Sequence, residues 1–114
     1  MTPAELLDAA TSLAANDESA VWPRAGALLA RQALEEAVEQ FYLARSPGLE
    51  SCSGRVQFIC LQWYVDKQLA HEAQQVWAEL SRACHVHAYE LAPTGHELQR
   101  WIDRVEQVRA ALTL

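Results

Sequence analysis

The stretch PRAGALLARQALEEAVEQFYLARSPG, residues 23–48, sets the architecture of this chain. Leu28, Leu34, Val38 and Phe41 recur with small alanines between them, and that 3.6-residue period predicts an amphipathic α-helix. The helix starts near Ser19 or Pro23 and runs to Arg45. Ser46-Pro47-Gly48 ends it, because Pro lacks a backbone donor and Gly admits conformations a helix does not use.

The same pattern extends outward in both directions. Thr2-Pro3-Ala4-Glu5 is a capping box with Pro in the first turn. It opens a helix over about residues 3–15 that buries Leu6, Leu7, Ala10 and Leu13. Downstream, a third helix is expected over about 53–69, with Val56, Ile59, Cys60, Trp63 and Tyr64 on one side. A fourth covers about 70–91 with the stripe Ala73, Val76, Trp77, Leu80, Cys84 and Leu91. Neither Gly nor Pro separates these two, so a kink near residues 67–71 and one continuous helix both fit. Ala92-Pro93 stops the run. Thr94-Gly95-His96-Glu97 is a second capping box, opening a last helix over about 95–112 that buries Leu98, Trp101, Ile102, Val105, Val108 and Leu112. With no alternating strand pattern, the expectation is a single all-α domain spanning residues 1–114, an antiparallel bundle of four to five helices.

Composition agrees with that class. The 114 residues are 51% hydrophobic and 21% charged, and only four Gly and four Pro interrupt them. No apolar run reaches the roughly 20 residues of a membrane span. The start of the chain lacks a basic n-region, so no secretory leader is expected. Cys52, Cys60 and Cys84 are an odd set without CxxC spacing, which reads as a reduced, cytoplasmic protein. The net charge of −6 argues against a broad nonspecific nucleic-acid surface, so nucleic-acid chemistry would need a local cationic focus.

The chemistry concentrates in Arg82-Ala-Cys-His-Val-His-Ala-Tyr-Glu-Leu, residues 82–91. Arginine is a permanent, fork-shaped phosphate ligand, and histidine exchanges protons near neutrality. On an ideal helix Arg82, His85 and Tyr89 share one face, while His87 falls close to the apolar stripe. Arg82 and His87 are then about 140° apart. One straight helix would not aim both at one phosphate. A distorted helix or a second copy of the chain is needed, which favours a homodimer. The alternative is plain: His87 as a hydrogen-bonded core histidine, with Arg82 and His85 on a solvated face.

Arg82-x4-His87 resembles the Arg-x4–6-His signature of the HEPN superfamily of small all-α domains. With Tyr89 it resembles the longer Arg-x4-His-x-Tyr form of HEPN toxins partnered with small nucleotidyltransferase antitoxins. The residue after the arginine, often polar in that superfamily, is Ala83 here. The resemblance implies a metal-independent endoribonuclease, cofactor-free and homodimeric, with two motifs meeting in a cleft. It assigns His87 as general acid/base and Arg82 as the phosphate ligand that stabilises developing charge. Products would be a 2′,3′-cyclic phosphate and a 5′-hydroxyl. Tyr89 would be the position an antitoxin could modify with nucleotides. His85 matches no required family position and is a plausible auxiliary phosphate ligand. The substrate would be single-stranded RNA or a loop, in a toxin–antitoxin or phage-defence setting. The rival implication is a catalytically inactive HEPN-like dimer acting as a nucleotide-binding or protein-interaction module.

Several further residues carry two readings. Glu35, with Glu36 and Glu39, is an auxiliary site candidate of the kind an early HEPN helix contributes, or half of a solvated Arg31–Glu35 pair. Arg55 adds charge to the cleft or is a surface arginine. His71, Cys84, His85 and His87 are metal-capable types, yet neither CxxC nor HxxxH spacing is present, so no metal is expected. Trp63, Trp77 and Trp101 sit at helical-period positions and read as core or dimer-interface packing, with Trp22 as an exposed anchor.

Overall fold

The structure, a computed structural model, describes residues 2–15, 22–85 and 93–113, without the side chains of Ala15, Trp22 and Pro23. It contains α1 (Pro3–Ala15), α2 (Trp22–Arg45), α3 (Gly54–Cys60), α4 (Lys67–Cys84) and α5 (Gly95–Leu112). Short 3₁₀ turns occupy Leu49–Ser51 and Leu61–Trp63. Among the described residues there is no strand, and no helix is long and apolar enough to cross a membrane.

The long helix α2 is the hub, packing against α1, α4 and α5. Its buried side is built largely from Ala27, Ala30, Ala33 and Ala37, with Leu34, Val38, Phe41 and Tyr42. Small side chains let neighbouring helices approach closely. Gly26 carries this furthest: a Cβ there would lie 2.3 Å from Leu98 Cδ2 of α5. Leu28, expected in the apolar stripe, is 39% exposed instead, because the buried side is centred on Ala27 and Ala30. Gly48, at φ 113°, turns the chain out of α2 in a conformation that favours glycine.

The two ends of the chain match the sequence reading. Thr2 Oγ1 accepts from the Glu5 amide at 3.1 Å, starting α1 over buried Leu6, Leu7 and Ala10. Leu13 is half-buried. In α5 the capping box is complete, with Thr94 Oγ1 and Glu97 Oε1 each accepting the other residue's amide at 3.1 Å. Leu98, Ile102, Val105, Val108 and Leu112 are all buried.

The middle of the chain corrects it. The expected helix over 53–69 is only α3, followed by the 3₁₀ turn. Asp66 then caps α4, its Oδ1 accepting from the amides of Gln68 at 2.7 Å and Leu69 at 3.1 Å. The buried side of this segment is Gln57, Phe58 and Leu61. Four of the five residues of the expected stripe are exposed, Val56, Ile59 and Tyr64 at 41–43% and Trp63 at 70%, while Cys60 is half-buried against the core. The reason lies across the interface. Phe58 stacks on Trp77 of α4, with centroids 4.8 Å apart and planes 15° from parallel. Gln57 is buried because its groups are satisfied: its carbonyl accepts from the Tyr42 hydroxyl. Its Nε2 donates to the carbonyls of Glu50 at 2.9 Å and Cys52 at 3.0 Å.

Helix α4 buries Ala70, Ala73, Val76, Leu80 and Ala83. It is tied to α5 by Arg104, which pairs with Glu72 at 2.7 Å and Glu79 at 3.0 Å. It ends at Cys84, seven positions short of the expected Leu91.

Candidate functional site

Arg82 lies in the last turn of α4 and is exposed. His85 follows the helix with φ −86° and ψ 140°, so its backbone has already left the helical path. The expected helical face therefore does not carry from Arg82 to His85, since α4 stops before His85. His87 and Tyr89 lie outside the described residues.

Across from this end of α4 stands the first half of α2. Arg24 Nη1 donates to the carbonyl of Ala83 at 3.2 Å and also to the carbonyl of His85. A cation at a helix C-terminus satisfies carbonyls that have no helical donor and opposes the negative end of the helix dipole. Two and three turns further along α2 come Arg31 and Glu35. Glu35 Oε2 accepts from the Trp77 indole Nε1 at 3.0 Å and lies 3.9 Å from Arg31 Nε. Glu35 thus holds α2 to α4 rather than facing solvent alone, and the i,i+4 pair with Arg31 is present as well. Gly54 completes the corner: a Cβ there would sit 3.5 Å from Trp77 Cζ2 and 3.8 Å from Glu35 Oε2.

Cys84 is half-buried and faces this group. Burial pushes its thiol pKa up; Arg31 and Arg24 draw it down, and Glu35 raises it further. Arg31 Nε and Ser81 Oγ are buried here without a hydrogen-bond partner among the described residues. Arg24 is the residue that sequence reading missed. Its distance of 59 positions from Ala83 leaves no local signal, although a lone arginine opening a helix is visible in the sequence.

Concave surfaces lie beside this corner and further from it. Leu6, Gln32, Glu35, Glu36 and Glu39 line an acidic groove of about 450 Å³ beside the same α2 segment. A groove of about 500 Å³ near the other end of α2 includes Ala37, Phe41, Arg45, Arg109 and Leu112, and none of the expected site residues. His71 and Arg55 are exposed on α4 and α3. Trp77 and Trp101 are half-buried, each donating its indole N–H to a glutamate, Glu35 or Glu79. Among the described residues no three His, Cys, Asp or Glu side chains gather as a metal-holding group. Comparison with protein-family models, with curated proteins and with solved structures finds no match.

Proposed function

We propose that this chain is a metal-independent endoribonuclease of HEPN type, the toxin of a toxin–antitoxin or phage-defence module, acting at a homodimer cleft. The observation that carries the reading is the end of α4 at Cys84, between Arg82 and His87. On an uninterrupted helix the two would diverge by about 140°. A helix that stops between them removes that obstacle.

The local charge supports the same reading. Arg82 is exposed beside the end of α4 that Arg24 reaches, and Arg31 follows on α2. Three arginines against the single carboxylate of Glu35, which pairs with Arg31, leave this corner locally positive in a chain whose net charge is −6, the kind of local focus that RNA binding requires. The homodimer draws support from Val56, Ile59 and Trp63, apolar side chains left exposed along α3 and its following turn.

In the proposed reaction His87 takes the proton of a ribose 2′-hydroxyl. The freed oxygen attacks the adjacent phosphorus, and the bond to the 5′-oxygen breaks. Arg82 stabilises the charge on the phosphoryl oxygens, and the departing 5′-oxygen gains a proton. The products are a 2′,3′-cyclic phosphate and a 5′-hydroxyl, with no metal required. His85 is an auxiliary phosphate ligand and Glu35 a support for α4. Tyr89 is the position for nucleotide addition by a small nucleotidyltransferase antitoxin.

The test is cleavage of a mixed RNA pool in EDTA. Wild type is expected to cut, and Arg82→Ala and His87→Ala to lose about 10²–10⁴-fold in rate. A dimeric wild type that leaves every RNA intact would replace this reading with the second one, an inactive HEPN-like interaction module. The small, buried Ala83 next to Arg82 is the feature that favours that alternative.

A further inference from the structure

The groove of about 500 Å³ lies between the start of α1, the last turns of α2 and the end of α5. Arg24 and Arg45 are 21 residues apart on α2, about 30 Å at ~1.5 Å per residue, so this groove is far from the Arg82 corner. Its floor is apolar, with Ala37, Phe41 and Leu112 all buried. Its rim is made of donors: the guanidinium groups of Arg45 and Arg109, the amide of Gln40 and the hydroxyl of Thr2. The described lining contains no Asp or Glu, in a chain with 15 acidic residues against 9 Lys and Arg.

These donors are available. Arg45 is exposed, and its guanidinium carbon lies 4.5 Å from the centroid of the Phe41 ring. That contact occupies one face of the guanidinium and leaves its N–H edges open. Among the described residues no carboxylate pairs with it. Arg109 gives its Nε to Glu106 Oε2 at 2.8 Å and its Nη2 to Glu106 Oε1, so Nη1 is unused among the described residues. Glu106 offsets much of the Arg109 charge, and the positive charge of the groove is chiefly that of Arg45. Thr2 Oγ1 accepts the Glu5 amide at 3.1 Å, and its own proton remains to be donated.

We infer that this groove binds a small organic anion, its oxyanion head held by Arg45 and Nη1 of Arg109 and its apolar body lying along the floor of Ala37, Phe41 and Leu112. A guanidinium fork fits the two oxygens of a carboxylate or a phosphate. The volume falls within the ~300–1,000 Å³ of small-molecule sites, more than a bare ion fills. A cationic ligand would meet no carboxylate in the lining. Packing on Phe41 holds the Arg45 side chain in place before a ligand arrives, which lowers the ordering cost of binding. The inference is independent of the RNase reading, because it uses none of that reading's residues.

Carboxylates and phosphate monoesters share this head chemistry, and the experiment separates them. Full-length, isotope-labelled protein is titrated by NMR with octanoate and with octyl phosphate, beside octanol, octylamine and inorganic phosphate. At least one of the two amphiphilic anions is expected to saturate with a Kd of about 1 mM or tighter. The amides of Gln40, Arg45, Arg109 and Thr113 should shift, and the tighter anion identifies the head group. Arg45→Met keeps an apolar stem over Phe41 and removes the charge, so it should weaken that binding about tenfold or more. Arg109→Met should weaken it less, since Glu106 already engages that guanidinium. Arg100→Met, outside the groove, should bind as wild type does and controls for loss of overall charge.

No saturable shift with either anion would overturn the inference. So would octanol or octylamine binding as tightly as the anions, or anion binding that Arg45→Met leaves unchanged. Inorganic phosphate binding as tightly as octyl phosphate would reduce the groove to a general anion site and remove the apolar half of the proposal. A short RNA that displaces the bound anion at equal or lower concentration would make the groove an RNA backbone contact instead.

Discussion

Glu35 shows how a side chain that is a candidate for chemistry also serves as an attachment between helices. In the sequence it is one of three glutamates in an acidic cluster; in the structure it accepts the Trp77 indole proton at 3.0 Å. It also contributes to the raised pKa of the Cys84 thiol, whose largest cause is burial. The thiolate is the reactive form, so a raised pKa slows alkylation at neutral pH and lets it accelerate as pH rises. Maleimide labelling followed by mass spectrometry should therefore find exposed Cys52 modified first and Cys84 last. Glu35→Gln removes a charge that disfavours the thiolate, so it should speed Cys84 labelling. A Cys84 that labels as fast as Cys52 would contradict the burial described here.

At the scale of elements, residues 54–63 are the instructive case. Both sides of this segment carry apolar residues, Val56, Ile59 and Trp63 on one and Phe58 and Leu61 on the other. Periodicity alone therefore could not choose which side packs inward. The choice was made by Trp77, which stacks on Phe58, and by Tyr42, which satisfies the Gln57 carbonyl. Phe58→Ala should cost about 3–5 kcal/mol in chemical denaturation. Trp63→Ala, at 70% exposure, should change monomer stability by only about 0.5 kcal/mol. Asp66→Ala should cost about 1 kcal/mol through the lost N-cap of α4. If Trp63→Ala proved the costlier of the two aromatic substitutions, the buried side of α3 would have to be reversed.

For the whole molecule, the arrangement of charge matters more than its sum. Glu36 and Glu39 flank one groove beside α2, while Arg24 and Arg31 stand on the side of α2 that meets the end of α4, with Glu35 shared between the groove and the Arg31 pair. An acidic protein can thus carry a cationic corner. The proposed mechanism further requires two copies of that corner. Light scattering on the purified protein should give twice the 12.7 kDa chain mass. A particle of single-chain mass at the concentrations where RNA is cut would remove the shared cleft from the mechanism.

By itself the sequence determined the helical class and the ends that are set locally. Thr2 and Thr94 cap helices through amides three residues away, and Pro47-Gly48 stops one through its own backbone limits. Such signals involve near neighbours, so they can be read in order along the chain. Which side of residues 54–63 is buried, and where α4 ends, were decided only by the tertiary structure. The groups that meet those segments come from far along the chain: Trp77 stacks on Phe58, and Arg24 reaches carbonyls 59 and 61 positions away. A contact between distant residues satisfies or withholds a backbone group only once the helices have packed, and no local spacing encodes it.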